Sequence, residues 1–182
     1  MQLMTDGQRR SRRDEEFTAY VSVRLPWLGR VAYLLCQDAS RADDLVQAAM
    51  TRLYVHWGRV SAAQNIDGYA RTVLVRTFLA EQGSAWMRRV TVTADPSAEY
   101  PALAPVDVET RLDLRAALTA LAPRQRAAVV LRFYCDLSIE ETAVLLGCSP
   151  GTVKSQTARG LDALRRVIAP PAGKLEKECE SA

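Results

Sequence analysis

The chain has 182 residues, 48% of them apolar and 25% charged, with a net charge of +3; this is enough apolar side chain for one ordinary core or two small ones, and it excludes a disordered chain. Charge is unevenly spread, with 13 basic residues against 9 acidic over residues 1–90, none against 3 over 91–108, and 9 against 6 over 109–169. Two basic bodies flanking an acidic connector permit a polyanionic partner, although arginines scattered over helices are equally an ordinary solvated surface.

The opening MQLMTDGQRRSRRDEE is charged and reads as a frayed start. EEFTAYVSVRLPWLGRVAYLLC then places apolar residues on one helical face, with Pro26 expected to bend or interrupt the helix. From Ser40, Ala42, Leu45, Val46, Ala49, Leu53 and Trp57 recur at three- and four-residue steps, and Ser40 with Asp43 has the spacing of a capping box. VSAAQNIDG is turn-like, and Asp67 is placed to cap a helix through YARTVLVRTFLAEQ; Gly83 and Ser84 predict a kink or fray before AWMRR.

Residues 91–108 lose the helical period and contain Pro96, Pro101 and Pro105. Proline removes an amide donor and pushes its predecessor out of the helical region, so this stretch predicts an extended, flexible linker between two domains. Beyond it ETRLDLRAALTAL sets Leu112, Ala116 and Leu118 or Leu121 on one side. Pro123 suits the first turn of PRQRAAVVLRFYC, whose Val130, Leu131 and Tyr134 are expected to face inward. The fold class is therefore all-α, with domains over 1–90 and 109–169, a linker over 91–108 and a disordered tail over 170–182.

SIEETAVLLGCSPGTVKSQTARGLDALRR is the most informative stretch. Ser138 and Glu141 make a capping box, Ile139, Ala143 and Leu146 form an inward stripe, and Gly147 suits the position just past a helix end. Ser149 caps the next helix and Pro150 takes its first position. Val153, Leu161, Leu164 and Ile168 would then point inward, turning Lys154, Ser155, Gln156 and Arg159 outward, with Thr152 beside them in the first turn. Two short helices so joined make a helix-turn-helix, whose second helix enters the major groove. Lys154 and Arg159 suit phosphates or guanine edges, Gln156 suits adenine, and Ser155 bonds to either. Arg124 and Arg126, early in a preceding helix, are further phosphate candidates. Capped helix pairs also occur in many all-helical proteins with no nucleic-acid partner.

Cys36, Cys135, Cys148 and Cys179 form no CxxC pair, and His56 is the lone histidine, so neither a metal site nor a cofactor is expected. Cys36 and Cys135 read as small core residues, Cys179 as part of an exposed tail. No phosphate loop, HExxH or nucleophile with a histidine partner suggests an enzyme. With no signal peptide and no apolar run near about 18 residues, the expected compartment is the cytoplasm. A stand-alone regulator would share the helix-turn-helix, but the first ninety residues lack the parallel-sheet pattern of a receiver domain.

The stretch LTALAPRQRAAVVLRFYCDLSIEETAVLLGCSPGTVKSQTARGLDALRR resembles region 4 of the extracytoplasmic-function (group-four) sigma factors of bacterial RNA polymerase. ADDLVQAAMTRLYVHW resembles their region 2 core-binding helix, and DGYARTVLVRTFL their promoter-melting segment; the VLVRTFL and LYVHWGRV segments look most like an actinobacterial-type subgroup. The resemblance spans about residues 14–168, and two motifs in order across a proline-rich tether are more specific than either alone.

It implies a promoter-specificity factor without enzymatic activity. Asp43, Asp44 and Gln47 would dock on the clamp helices of the polymerase β′ subunit, and region 4 on the β flap. Asn65, Arg71 and Arg76 would capture unstacked bases of the −10 element, with Trp86, Arg88 and Arg89 as an aromatic and cationic platform. Thr152, Lys154, Ser155, Gln156, Arg159 and Arg124 would contact the −35 duplex. An anti-sigma factor, often membrane-linked, is the implied regulator.

Overall fold

The structure, a computed structural model, describes residues 6–87 and 108–168. The first unit opens with α1 (Asp6–Cys36), which already has helical form where a frayed start was expected. Its early turns are supported from two sides. Along the helix, Arg12 pairs with Glu16 at 2.9 Å and the Ser11 hydroxyl donates to Glu15 at 3.1 Å. Across it, Arg13 donates to the Tyr54 carbonyl, the Tyr54 hydroxyl donates to Asp14 at 2.6 Å, and Phe17 meets the Tyr54 and Trp57 rings edge-on at 5.1 and 5.2 Å. α1 also continues through Pro26 instead of ending there. The proline leaves the Ser22 carbonyl without its usual amide donor, and both residues are exposed, so water can serve that carbonyl at little cost.

Only Gln37 and Asp38 separate α1 from α2 (Ala39–Val55). Gln37 takes the left-handed conformation at φ 58°, and its side-chain amide donates to the Leu34 carbonyl at 2.7 Å, closing α1 where glycine is the common choice. Asp38 is extended and accepts the Arg41 amide at 2.8 Å, so the cap of α2 is Asp38, not the expected Ser40. His56 ends α2 and leads into the single turn α3 (Trp57–Val60).

α4 (Ile66–Met87) completes the unit and runs through Gly83 and Ser84 with no break. Asn65 accepts the Gly68 amide at 2.7 Å and so does the capping expected of Asp67. Leu28, Val31 and Leu35 from α1, Leu45 and Leu53 from α2, and Leu74, Val75 and Phe78 from α4 are fully buried. Each such side chain contributes about 1.5–3 kcal/mol by leaving water. One polar tie crosses this core's edge, from Arg52 to the buried Thr77 hydroxyl at 2.7 Å.

The second unit comprises α5 (Val108–Thr119), α6 (Pro123–Val129), a π-helical turn (Val130–Tyr134), α7 (Ile139–Leu146) and α8 (Pro150–Ile168). Among the described side chains of α5 and its end, Leu118 and Leu121 are buried as expected, while Ala117 is buried in place of the expected Ala116, which is exposed. The side chain of Leu112 lies outside the described residues. Widening the helix into a π turn lets the Cys135 amide reach the Val130 carbonyl at 3.0 Å. Val130 and Leu131 are buried as expected, whereas Tyr134 and Cys135 are half-buried. Residues 88–107 and 169–182, which hold all of the expected linker but Val108, the first residue of α5, and all of the expected tail, Cys179 included, lie outside the described residues.

Candidate nucleic-acid and polymerase interface

The α7–α8 pair is built from local signals that all agree. The Ser138 amide donates to Glu141 at 2.7 Å and the Glu141 amide to the Ser138 hydroxyl at 3.0 Å, so two orphan donors at the start of α7 are satisfied reciprocally. Gly147 closes α7 at φ 62°, and the Cys148 amide donates back to the Ala143 carbonyl at 3.0 Å. Two residues later α8 starts, with the Thr152 amide donating to the Ser149 hydroxyl at 3.1 Å and Pro150 in the first turn.

α8 lies against α6 on a small-residue contact. A Cβ on Gly160 would stand 2.7 Å from a Val129 methyl carbon and 3.6 Å from the Gln125 carbonyl oxygen, so glycine is what permits this approach. Val153, Gly160 and Leu164 are the buried positions; Leu161 is half-buried, and Ile168, expected inside, is exposed. This rotation leaves Lys154, Ser155 and Arg159 exposed and Gln156 half-buried at the flank of the buried side. Thr152 is committed to the cap, its hydroxyl 2.9 Å from that of Ser149, and the Ser155 hydroxyl donates to the Thr152 carbonyl at 2.9 Å, which keeps its lone pairs available. Arg124 is exposed, whereas Arg126 donates to the carbonyls of Thr119 and Leu121 at 3.2 and 3.1 Å. Arg126 thus ties down the end of α5, a use its place in the sequence does not reveal.

In the first unit Asp43, Asp44 and Gln47 are exposed together on α2, opposite the buried Ala42, Leu45, Val46 and Ala49. Asn65 caps α4, and a Cβ on the adjoining Gly68 would stand 2.8 Å from its amide nitrogen. One turn on, Arg71 is half-buried with its guanidinium 5.7 Å from the centre of the Trp27 ring, within cation–π range, and Arg76 is exposed. The backbone at Trp86 is helical, but its side chain, like Arg88 and Arg89, lies outside the described residues.

Sequence reasoning missed Trp27 as the support of Arg71, and it missed the environment of Asp67. That carboxylate accepts the Tyr20 hydroxyl at 3.1 Å and pairs with Arg24 at 2.7 Å. Burial, then the Asp67 charge and hydrogen bond, push the Tyr20 phenol well above its ordinary range, so it remains a donor. Tyr20 and Arg24 lie four apart on α1, the one trace of this arrangement in the sequence.

Among the described residues no cluster of three or more His, Cys, Asp or Glu could hold a metal ion, and no helix is long and apolar enough to cross a membrane.

Two helical units, the second with a capped helix-turn-helix and an outward polar face, match the architecture of a helix-turn-helix DNA-binding class. The chain matches the sigma-70 region 2 family over residues 17–89 and sigma-70 region 4 over residues 111–164. It is 37% identical over 158 residues to the RNA polymerase sigma-E factor of Streptomyces coelicolor, covering 84% of this chain and 86% of that one. It is 31% identical over 145 residues to the ECF RNA polymerase sigma factor SigL of Mycobacterium tuberculosis, covering 78% and 82%. Among solved structures it resembles the sigma factor RpoE in complex with the anti-sigma factor NepR from Bartonella quintana, with a TM-score of 0.66, 25% identity, and coverage of 84% of this chain and 96% of that one. The chain belongs to the extracytoplasmic-function sigma factors of the sigma-70 family, which are transcription initiation factors.

Proposed function

We propose that this chain is an alternative sigma factor that binds core RNA polymerase in the cytoplasm and directs it to a specific class of promoter. Residues 1–90 form the polymerase- and −10-binding domain, 91–108 a flexible linker, 109–169 the −35-binding domain, and 170–182 a tail. Asp43, Asp44 and Gln47 meet the β′ clamp helices, and the second domain meets the β flap. Asn65 at the start of α4, Arg71 half-buried beside Trp27 and Arg76 exposed further along, with Trp86, Arg88 and Arg89, hold the melted −10 strand by stacking, hydrogen bonding and phosphate contact.

Thr152, Lys154, Ser155, Gln156, Arg159 and Arg124 contact the −35 duplex. Lys154 and Arg124 supply phosphate neutralisation, Gln156 and Arg159 supply base contacts, and the helix N-terminus adds amide donors. A small patch of this kind supports few phosphate contacts, so the free factor binds promoter DNA weakly and gains its specificity within the holoenzyme. An anti-sigma factor is the proposed regulator, as NepR is the anti-sigma factor bound to the sigma factor RpoE that this chain resembles.

The observation that carries this function is the outward polar face of α8, set by burial of Val153, Gly160 and Leu164. Run-off transcription with purified core polymerase and a promoter library tests it. Discrete start sites that depend on added protein, and that vanish when Lys154 and Arg159 are both replaced by alanine, are the expected result. Absence of a specific start site together with absence of co-purifying polymerase overturns it in favour of a stand-alone regulator.

A further inference from the structure

Asp67 sits in the first turn of α4, one residue past the start of that helix and two past Asn65. A first-turn carboxylate ordinarily caps or simply faces solvent, with the helix dipole as its company. Here the cap is Asn65, and both Asp67 oxygens are directed to α1: Oδ1 accepts the Tyr20 hydroxyl and Oδ2 meets the Arg24 guanidinium. Tyr20 is itself anchored, its ring 5.2 Å from that of Trp57 at the α2–α3 corner. The carboxylate therefore joins three elements at the point where the chain leaves the Ser61–Asn65 connection and enters α4.

The ion pair in this joint adds little to the overall stability of the unit. The Arg24 and Asp67 side chains are 46% and 38% exposed, and ion pairs so open to water add little to folding. The core of this unit is closed without them by Leu28, Leu45, Leu74 and Phe78. What a two-point hold on one carboxylate does supply is direction, because two bonds to separate donors fix both the position and the rotation of the turn that carries it.

We propose that Tyr20, Arg24 and Asp67 form a clasp that orients the first turn of α4, and with it Asn65 and Arg71, for capture of the melted promoter strand. These are positioning residues that act through Asn65 and Arg71. The clasp rests on the assignment of that turn to the −10 strand made above, and the test separates the two.

Full-length Asp67→Asn, Tyr20→Phe, Arg24→Glu and Arg24→Lys are each assembled with core polymerase. Promoter opening is followed by permanganate reactivity of −10 thymines, polymerase affinity by competition, and amide hydrogen exchange over residues 61–68 in the free factor. Asp67→Asn, Tyr20→Phe and Arg24→Glu are expected to raise exchange in 61–68 and to lower opening about fivefold, the scale of one exposed ion pair or hydrogen bond, with polymerase affinity unchanged. Arg24→Lys, which keeps the cation, is expected to retain most of the opening.

Unchanged exchange in Asp67→Asn overturns the clasp whatever opening does. So does opening that rises in Asp67→Asn while falling in Arg24→Glu, since that pattern makes Arg24 a direct DNA contact released from its carboxylate. Raised exchange with unaltered opening leaves the clasp standing as a hold on the turn and overturns the assignment of that turn to the −10 strand.

Discussion

The two helices proposed to meet DNA, α8 and α4, are held by opposite means. α8 is fixed from behind by buried apolar contact, with Val153 fully buried and Gly160 close against Val129. The start of α4 is fixed from the side by polar ties near the surface, from Asn65 to Gly68 and from Asp67 to Tyr20 and Arg24. Duplex DNA is a regular surface, and a reader of it gains from a helix whose register cannot drift. A melted strand has many conformations, so its receptor benefits from bonds that are directional yet individually weak. The difference sets apolar burial behind the helix in the second unit and directional polar ties at the contact edge in the first.

The comparison breaks most visibly in the cores. Phe78→Ala removes the largest fully buried side chain among the described residues and is expected to cost about 3–5 kcal/mol of stability in the first unit. Trp27, Trp57 and Trp86 all belong to that unit's sequence, so tryptophan fluorescence during urea unfolding reports on it selectively. In the second unit Gly160→Leu forces a side chain into the Val129 contact. It is expected to cost about 1–3 kcal/mol and to weaken −35 binding along with it, because α8 must back away from α6. Differential scanning calorimetry beside promoter binding at one salt concentration checks whether the two losses move together.

At the surface of α8 the effects are smaller and divide by type of contact. Arg159→Ala is expected to cost about 1–3 kcal/mol at one −35 position and to relax its sequence preference, the mark of base readout. Lys154→Ala is expected to weaken holoenzyme binding evenly across sequences and to lower the salt slope by about one. Binding of a −35 substitution series at several salt concentrations distinguishes them. An even loss for both reassigns Arg159 to the phosphates.

The second unit was the more legible in sequence because its signals are local. Ser138 with Glu141, Gly147, Ser149 and Pro150 specify caps and a turn within a few residues, and the structure places each where expected. The first unit depends on pairings the sequence does not display. The Arg13, Asp14 and Tyr54 contacts that support the early turns of α1 span about forty residues, and the Tyr20–Asp67 bond spans more. Arg126 was misplaced for the same reason, since an arginine that ties down the end of the preceding helix resembles a phosphate ligand until its acceptors are known. Gly160 went unremarked in the sequence, although it stands seven residues after Val153 and four before Leu164 on the buried side of α8; its close contact with Val129 emerges only from the structure.

The smallest effect concerns the start of α2, where Ser40 and Asp38 compete for the cap. Ser40 has the favourable spacing to Asp43, but the chain cannot begin α2 there. Gln37 ends α1 with φ 58° and holds the Leu34 carbonyl, so Asp38 is the first residue free to be extended, and its carboxylate already meets the Arg41 amide. Ser40 is thereby carried into the first turn, exposed, its hydroxyl dispensable. Asp38→Ala is expected to cost about 1 kcal/mol and Ser40→Ala no more than about 0.5 kcal/mol, both read from urea unfolding of the first unit. Equal losses would mean that the short connection between α1 and α2 can shift the cap by two residues. The rotation of α2, which sets Asp43, Asp44 and Gln47 outward, would then be fixed by its buried apolar face of Ala42, Leu45, Val46, Ala49 and Leu53.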